Sequence, residues 1–437
     1  MSKRVLVSLI FLLIANVIYT EQIFTIPFKV YSMASLFPNQ SNPIANKHMS
    51  IIAIEALIGN PSQKLNCSLN LMKYHSLFLS HKIENIELST FYNKTLSSTY
   101  TCKKEQKEYS NEDFDQAESF SDKIQIYSLD NKKILDDNFN FLLIDNLVKD
   151  EINEFYASGQ IGLQLDSHNN DKYPEKERFL SQIKNKGYTR NIIFSFEFNK
   201  NGKDGNFIIG KDVYYNNNFF KFSIKSTDWI LSFDKVFYGN KEVENPAQAI
   251  LETETGLIVG TIDYEDTIIE FFNKQNNCFM NKTKIGYEMF KYFGCDEDFD
   301  ETKMDNLTFY FNMKRKELNF TFTGKDLFFV ENGKKYFKII FHTFPNYFWY
   351  FGREFLKKYQ LFFDTERKII YAKYNDDFSF ISYFNDVDFW TTLILIFALL
   401  SIILYVISYP KRNKRKKRKN ELEDEKNVNQ DDVELLG

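Results

Sequence analysis

Glycine and proline are scarce in this 437-residue chain, at 16 and 8, and histidine and cysteine scarcer still, at 5 and 4. The cysteines, at 67, 102, 278 and 295, show no CxxC spacing, and no histidine falls in an HExxH pattern, so no metal site is expected. Neither a phosphate-binding P-loop nor a GxGxxG turn occurs, and no cofactor is expected. His48, His75, His81, His168 and His342 stand in no nucleophile-elbow context, which leaves no serine-hydrolase triad to nominate. The formal net charge is −4, and basic residues concentrate in a single run near the C-terminus. Nucleic acid is therefore not an expected partner.

What the chain has in abundance is phenylalanine (46) and tyrosine (26). The skew toward Phe, Tyr, Asn, Lys and Ile points to aromatic-packed β cores rather than to an aromatic ligand groove. The length implies two or three folding units.

The ends read as targeting signals. Met1 to Arg4 is basic and Val5 to Ile18 apolar, the layout of a signal peptide over residues 1–20, with cleavage near Thr20. Residues 389–409 carry no charge and, at ~1.5 Å per residue, span the ~30 Å hydrocarbon core as one transmembrane helix. Lys411 to Lys419 is almost wholly basic, which sets residues 410–437 as a cytosolic tail and the topology as single-pass type I. The ectodomain would then follow the secretory or endolysosomal route, or stand at the cell surface. Asp431, Leu435 and Leu436 resemble the acidic dileucine signal read by clathrin adaptors. Glycosylation sequons stand at Asn39, Asn66, Asn93, Asn281, Asn306 and Asn319. An even cysteine count in an oxidising compartment predicts two disulfides, and Cys67–Cys102 with Cys278–Cys295 closes a local loop in each half.

No helical periodicity persists between these ends. Short apolar or alternating runs recur instead, among them Ile51–Ile58, Phe139–Ile144, Ile192–Phe198, Trp229–Phe237, Leu307–Phe311 and Ile369–Tyr374. They predict a mainly-β protein with short helices over Phe179–Lys186, Tyr287–Tyr292 and Phe355–Tyr359. A loose repeat relates the halves. Leu69 to Met72 is followed by Gln160-Ile161-Gly162-Leu163, and Ala249 to Glu254 by Trp349-Tyr350-Phe351-Gly352. Two lobes are implied, 48–215 and 216–385, after an N-terminal segment 21–47.

Several motifs in order then resemble the pepsin-like aspartic proteases. Ile58 to Gln63 is similar to the IGTPPQ turn, and Phe91 to Tyr100 to the FxPxxSSTY segment. Ser158 to Leu163 is similar to DGILGL, and Gly205 to Gly210 to the strand ending in FGG. Trp229-Ile230 is similar to YWQI, and Phe348 to Leu356 with Phe362-Phe363-Asp364 to WILGDVFLR…VFD. The resemblance implies a two-lobed fold around a cleft, with one DTG loop from each lobe. The family's two aspartates share a proton, one activating water and the other polarising the scissile carbonyl.

At those positions the chain carries Asn70-Leu71-Met72 and Glu252-Thr253-Glu254. Asn70 cannot ionise, and the Glu252 carboxyl stands one methylene further out than an aspartate's. Met72 and Glu254 replace glycines, and Leu71 lacks the hydroxyl that Thr253 keeps to cross-link the loops. The flap stretch has no glycine, with Tyr109 as the candidate flap tyrosine. The expectation is a pseudo-protease that binds a peptide or protein in its cleft. The alternative is an endopeptidase working through Glu252.

Overall fold

The computed structural model describes residues 23–32, 42–83, 90–102, 116–128, 130, 132–146, 157–165, 178–210, 219–313 and 316–374. The expected signal peptide, membrane helix and tail lie outside these, as do Asn39, Tyr109, Asp431, Leu435 and Leu436. Among the described residues, no helix is long and apolar enough to cross a membrane.

The architecture is mainly β, as the short apolar runs predict. One large sheet joins the two halves of the sequence. It runs from Phe220–Ser223 through Ile369–Tyr374, Tyr359–Asp364, Ile193–Phe198 and Asp204–Ile209 to Phe24–Ser32, then into the first lobe through Ser50–Ile58 and Gln63–Asn70. Phe362, Phe363 and Asp364 pair with Ser195, Phe194 and Ile193, so C-terminal strands complete a sheet begun by N-terminal ones. Ile193–Phe198 is buried at every residue, Ser195 and Glu197 included, although its sequence alternates polar with apolar.

Two departures concern this sheet. Residues 21–47 were expected to precede the core, yet Phe24–Ser32 pairs with Asp204–Ile209 on one side and with Ser50–Ile58 on the other. Phe24, Ile26 and Phe28 point into the core, and the proline between the last two lies opposite Asn206. Residues 359–374, placed by sequence in the second lobe, belong to the sheet that spans both.

Tyr287–Tyr292 is not helical. Gly286, at φ +59°, turns the chain back on itself, and Glu288–Asp296 pairs with Cys278–Ile285 as a hairpin. The long helix is Ile262–Asn273. Asp263 and Glu265 sit in its first turn, and Tyr264, Ile268 and Phe272 recur at fourfold spacing on its buried face. Aromatic abundance goes into the cores. Trp229 and Trp349 are fully buried, and Phe194 stacks on Phe363 with ring centroids 4.8 Å apart.

Cys278 and Cys295 face each other in the hairpin and form a disulfide. The expected Cys67–Cys102 bridge is not formed. Cys67 lies in the core on Gln63–Asn70, whereas Cys102 lies on the two-residue strand Thr101–Cys102, which among the described residues pairs only with Gln116–Tyr127. Its thiol faces the Glu118 carboxylate, 2.9 Å away. Loop length suggested the pairing, but the strand order separates the two cysteines.

Candidate functional site

Each lobe delivers one loop in the same way. In the first, Gln63–Asn70 runs parallel to Gly159–Gly162, with Asn70 opposite Gly162, and that short strand is antiparallel to Leu77–Leu79. In the second, Ala247–Leu251 runs parallel to Trp349–Phe351, which is antiparallel to Ile258–Val259. Glycine closes both crossings. A Cβ on Gly162 would lie 2.4 Å from the Tyr74 carbonyl carbon, and one on Gly352 would lie 2.4 Å from Leu257 O. The repeated Gly162 and Gly352 thus have a packing reason: each lets a loop backbone pass within contact of the strand beside it.

The loops meet at Thr253. Its buried hydroxyl donates to Leu69 O at 2.5 Å and accepts from Leu71 N–H at 3.3 Å. Leu71 is buried but has no hydroxyl to return the bond, so the cross-link runs one way.

Asn70 is buried and both its amide oxygen and its amide nitrogen are hydrogen-bonded. Oδ1 accepts from Met72 N–H at 2.8 Å and Lys73 N–H at 3.1 Å, and Nδ2 donates to Gln160 Oε1 at 3.2 Å. Gln160 in turn donates to His75 O at 3.4 Å. The oxygen stands where a carboxylate would collect the same two amide protons, but the nitrogen opposite it can neither share nor accept a proton.

Glu252 begins the second loop, its backbone N–H bonded to Phe351 O at 3.0 Å. The side chain keeps some exposed surface, yet enough protein surrounds the carboxyl to strip most of its hydration. Burial pushes it up to about 7, Glu288 adding to the shift and the nearby Thr255 hydroxyl opposing it. Below neutral pH it is a neutral carboxylic acid. Met72 and Glu254 are half-buried on their loops.

Other groups around the second loop gave no signal in the sequence. His48, His342 and Arg353 are all buried, and His48 comes from a helix in the first half of the chain, far from the strand and helix that carry the other two. Arg353 donates to the Ser50 hydroxyl, and its backbone N–H bonds Thr255 O at 2.9 Å. Burial holds His48 down at about 3, with His342 and Arg353 adding to it. Of the sequons, Asn281, Asn306 and Asn319 are exposed, whereas Asn66 and Asn93 are half-buried. Asn93 spends its carboxamide oxygen on Thr95 N–H at 3.0 Å and the Thr95 hydroxyl at 2.7 Å.

Paired lobes with one such loop from each define an aspartic-protease-like domain. The family model for eukaryotic aspartyl proteases matches residues 56–373, and the chain belongs to that family. No curated protein matches it.

Proposed function

We propose that this family member has lost peptide hydrolysis and uses its cleft to bind an extended peptide or protein. The observation that carries the reading is Asn70, a group with no titratable proton at the position where one of two facing carboxyls is needed. A dyad works because like charges ~3 Å apart hold one proton between them, and an amide breaks that pairing. The cleft fold survives with its loops pinned by Thr253, and grooves lined by strand edges pair with extended backbone.

We place the domain on the luminal or extracellular side of a single-pass type I membrane protein. This rests on the charge-free run 389–409, the basic run after it and the exposed sequons at Asn281, Asn306 and Asn319. A tail dileucine at Leu435 and Leu436 would add adaptor-driven sorting.

One observation favours a second reading. Glu252, held near 7, is poised as a general acid and would serve an endopeptidase with an unusual partner. Incubation of the glycoprotein with a peptide library from pH 3 to 7 separates the two. The first reading expects retention of peptides without cleavage. Cleavage that disappears in Glu252→Gln would establish the second instead.

A further inference from the structure

Residues 42–50 cross the second loop as a strap. Asn42 caps the helix Pro43–His48, Oδ1 accepting from Ile44 N–H at 2.9 Å and Ala45 N–H at 3.4 Å. Ile44, Ala45 and Met49 sink among Leu257, Val259, Phe290 and Ile340. The Gly256 N–H donates to His48 O at 2.7 Å, and Met49 bridges to Thr255. The fit is tight, since a Cβ on Gly256 would lie 1.8 Å from Lys47 O.

At the end of the strap helix the His48 ring packs on Phe290 at 5.4 Å, and Phe290 also contacts the His342 ring at 4.6 Å. His48 Nδ1, His342 Nδ1 and Arg353 Nε are buried with no hydrogen-bond partner among the described residues. A proton added to His48 would enter an apolar pocket beside a buried guanidinium.

We propose that the strap is an acid-released latch: protonation of His48 loosens residues 42–50 from the Thr255–Gly256 turn of the second loop.

The surrounding charges single out this imidazole. Glu354 already holds Lys47 at 3.7 Å, Lys338 at 2.9 Å and Lys357 at 3.2 Å. Burial alone would raise Glu354, but those lysines outweigh it and keep it at about 2, so the ion pairs persist through mildly acidic pH. Glu288 lies 3.6 Å from His342, whose own value burial lowers. Tyr292 packs in the same region, and burial raises the Tyr350 phenol beside it. Glu252 acts in the opposite sense, gaining a proton and losing its burial cost as pH falls. His48 stays neutral in the closed strap down to about 3 but charges near 6.5 once released. Closure therefore binds fewer protons than opening between those limits, and opening grows by roughly tenfold per pH unit for one such group.

Hydrogen exchange on the full-length chain in detergent tests this with no ligand present, and so separately from any peptide binding. In a Glu252→Gln background, opening constants for peptides covering 44–52 should rise by roughly tenfold from pH 6 to 5. Those in Ile193–Phe198 should stay flat. His48→Phe should abolish the rise while leaving the strap closed. If Phe itself unseats the strap at pH 7, His48→Gln is read in its place. If both unseat it, the His48 titration followed by NMR must share its midpoint with the rise in opening. A flat profile in the parent, a rise kept in the variants, or mismatched midpoints would overturn the latch.

Discussion

Thr253 holds the two loops together through a single hydroxyl that serves both Leu69 O and Leu71 N–H. Thr253→Val leaves both backbone groups buried without that partner, and each such loss costs about 1–3 kcal/mol. Thr253→Ser should keep most of the stability, and urea midpoints of the two variants will show whether the hydroxyl or the methyl matters. Glu252 makes a pH-dependent contribution whose sign is fixed. Its carboxyl holds a proton up to about 7 in the fold, against 4.5 in the unfolded chain. The folded state therefore binds more protons between those values, and stability falls as pH rises through them. With a discount for partial exposure, the loss is about 2–3 kcal/mol. Glu252→Gln should raise the unfolding midpoint at pH 7.5 and leave it nearly unchanged at pH 4. An equal effect at both would remove the case for a buried, proton-holding carboxyl.

At the scale of elements, Gly352 and the disulfide hairpin carry the clearest tests. The Cβ introduced by Gly352→Ala would sit 2.4 Å from Leu257 O and 2.6 Å from Thr255 O, both backbone atoms that cannot swing aside. Overpacking of this kind costs about 1–3 kcal/mol, and a thermal melt should register it. The Cys278–Cys295 link closes a separation of 17 residues, and replacing both cysteines by serine should cost about 3 kcal/mol. Cys67 and Cys102 should behave as thiols. Maleimide should reach exposed Cys102 in the native protein, while Cys67, buried and pushed up to about 12, should react only after unfolding.

Legibility at this scale followed the reach of each signal. Ile193–Phe198 and the Gly162 and Gly352 landmarks were readable because their cause is local, an apolar alternation or a crossing that admits no side chain. Tyr287 to Tyr292 contains good helix formers, yet Gly286 in front of it turns the chain and cross-strand pairing decides its state. Asn70 and Glu252 were nominated by motif order, whereas Gln160 became the partner of Asn70 only through strand register. The gathering of His48 with His342 and Arg353 has no local pattern, because His48 comes from the opposite half of the sequence.

For the whole molecule the N-terminal strand is decisive. Phe24–Ser32 lies inside the sheet that spans both lobes, with partners on each side, so removing it would leave Asp204–Ile209 and Ser50–Ile58 without the strand between them. It also takes away Phe24, Ile26 and Phe28, each nearly fully buried. At about 1.5–3 kcal/mol for each such side chain, the lost burial approaches the 5–15 kcal/mol that typically separates folded from unfolded. A signal-peptide cut near Thr20 would spare the strand, whereas a chain beginning at Asn42 would lose it and keep only the strap. That shorter chain should show weakened near-ultraviolet circular dichroism and a much lower urea midpoint, with both lobes affected because the sheet belongs to both. If it unfolds at the parent midpoint, the sheet does not depend on its N-terminal strand, and pairing of Tyr359–Asp364 with Ile193–Phe198 is enough to keep it.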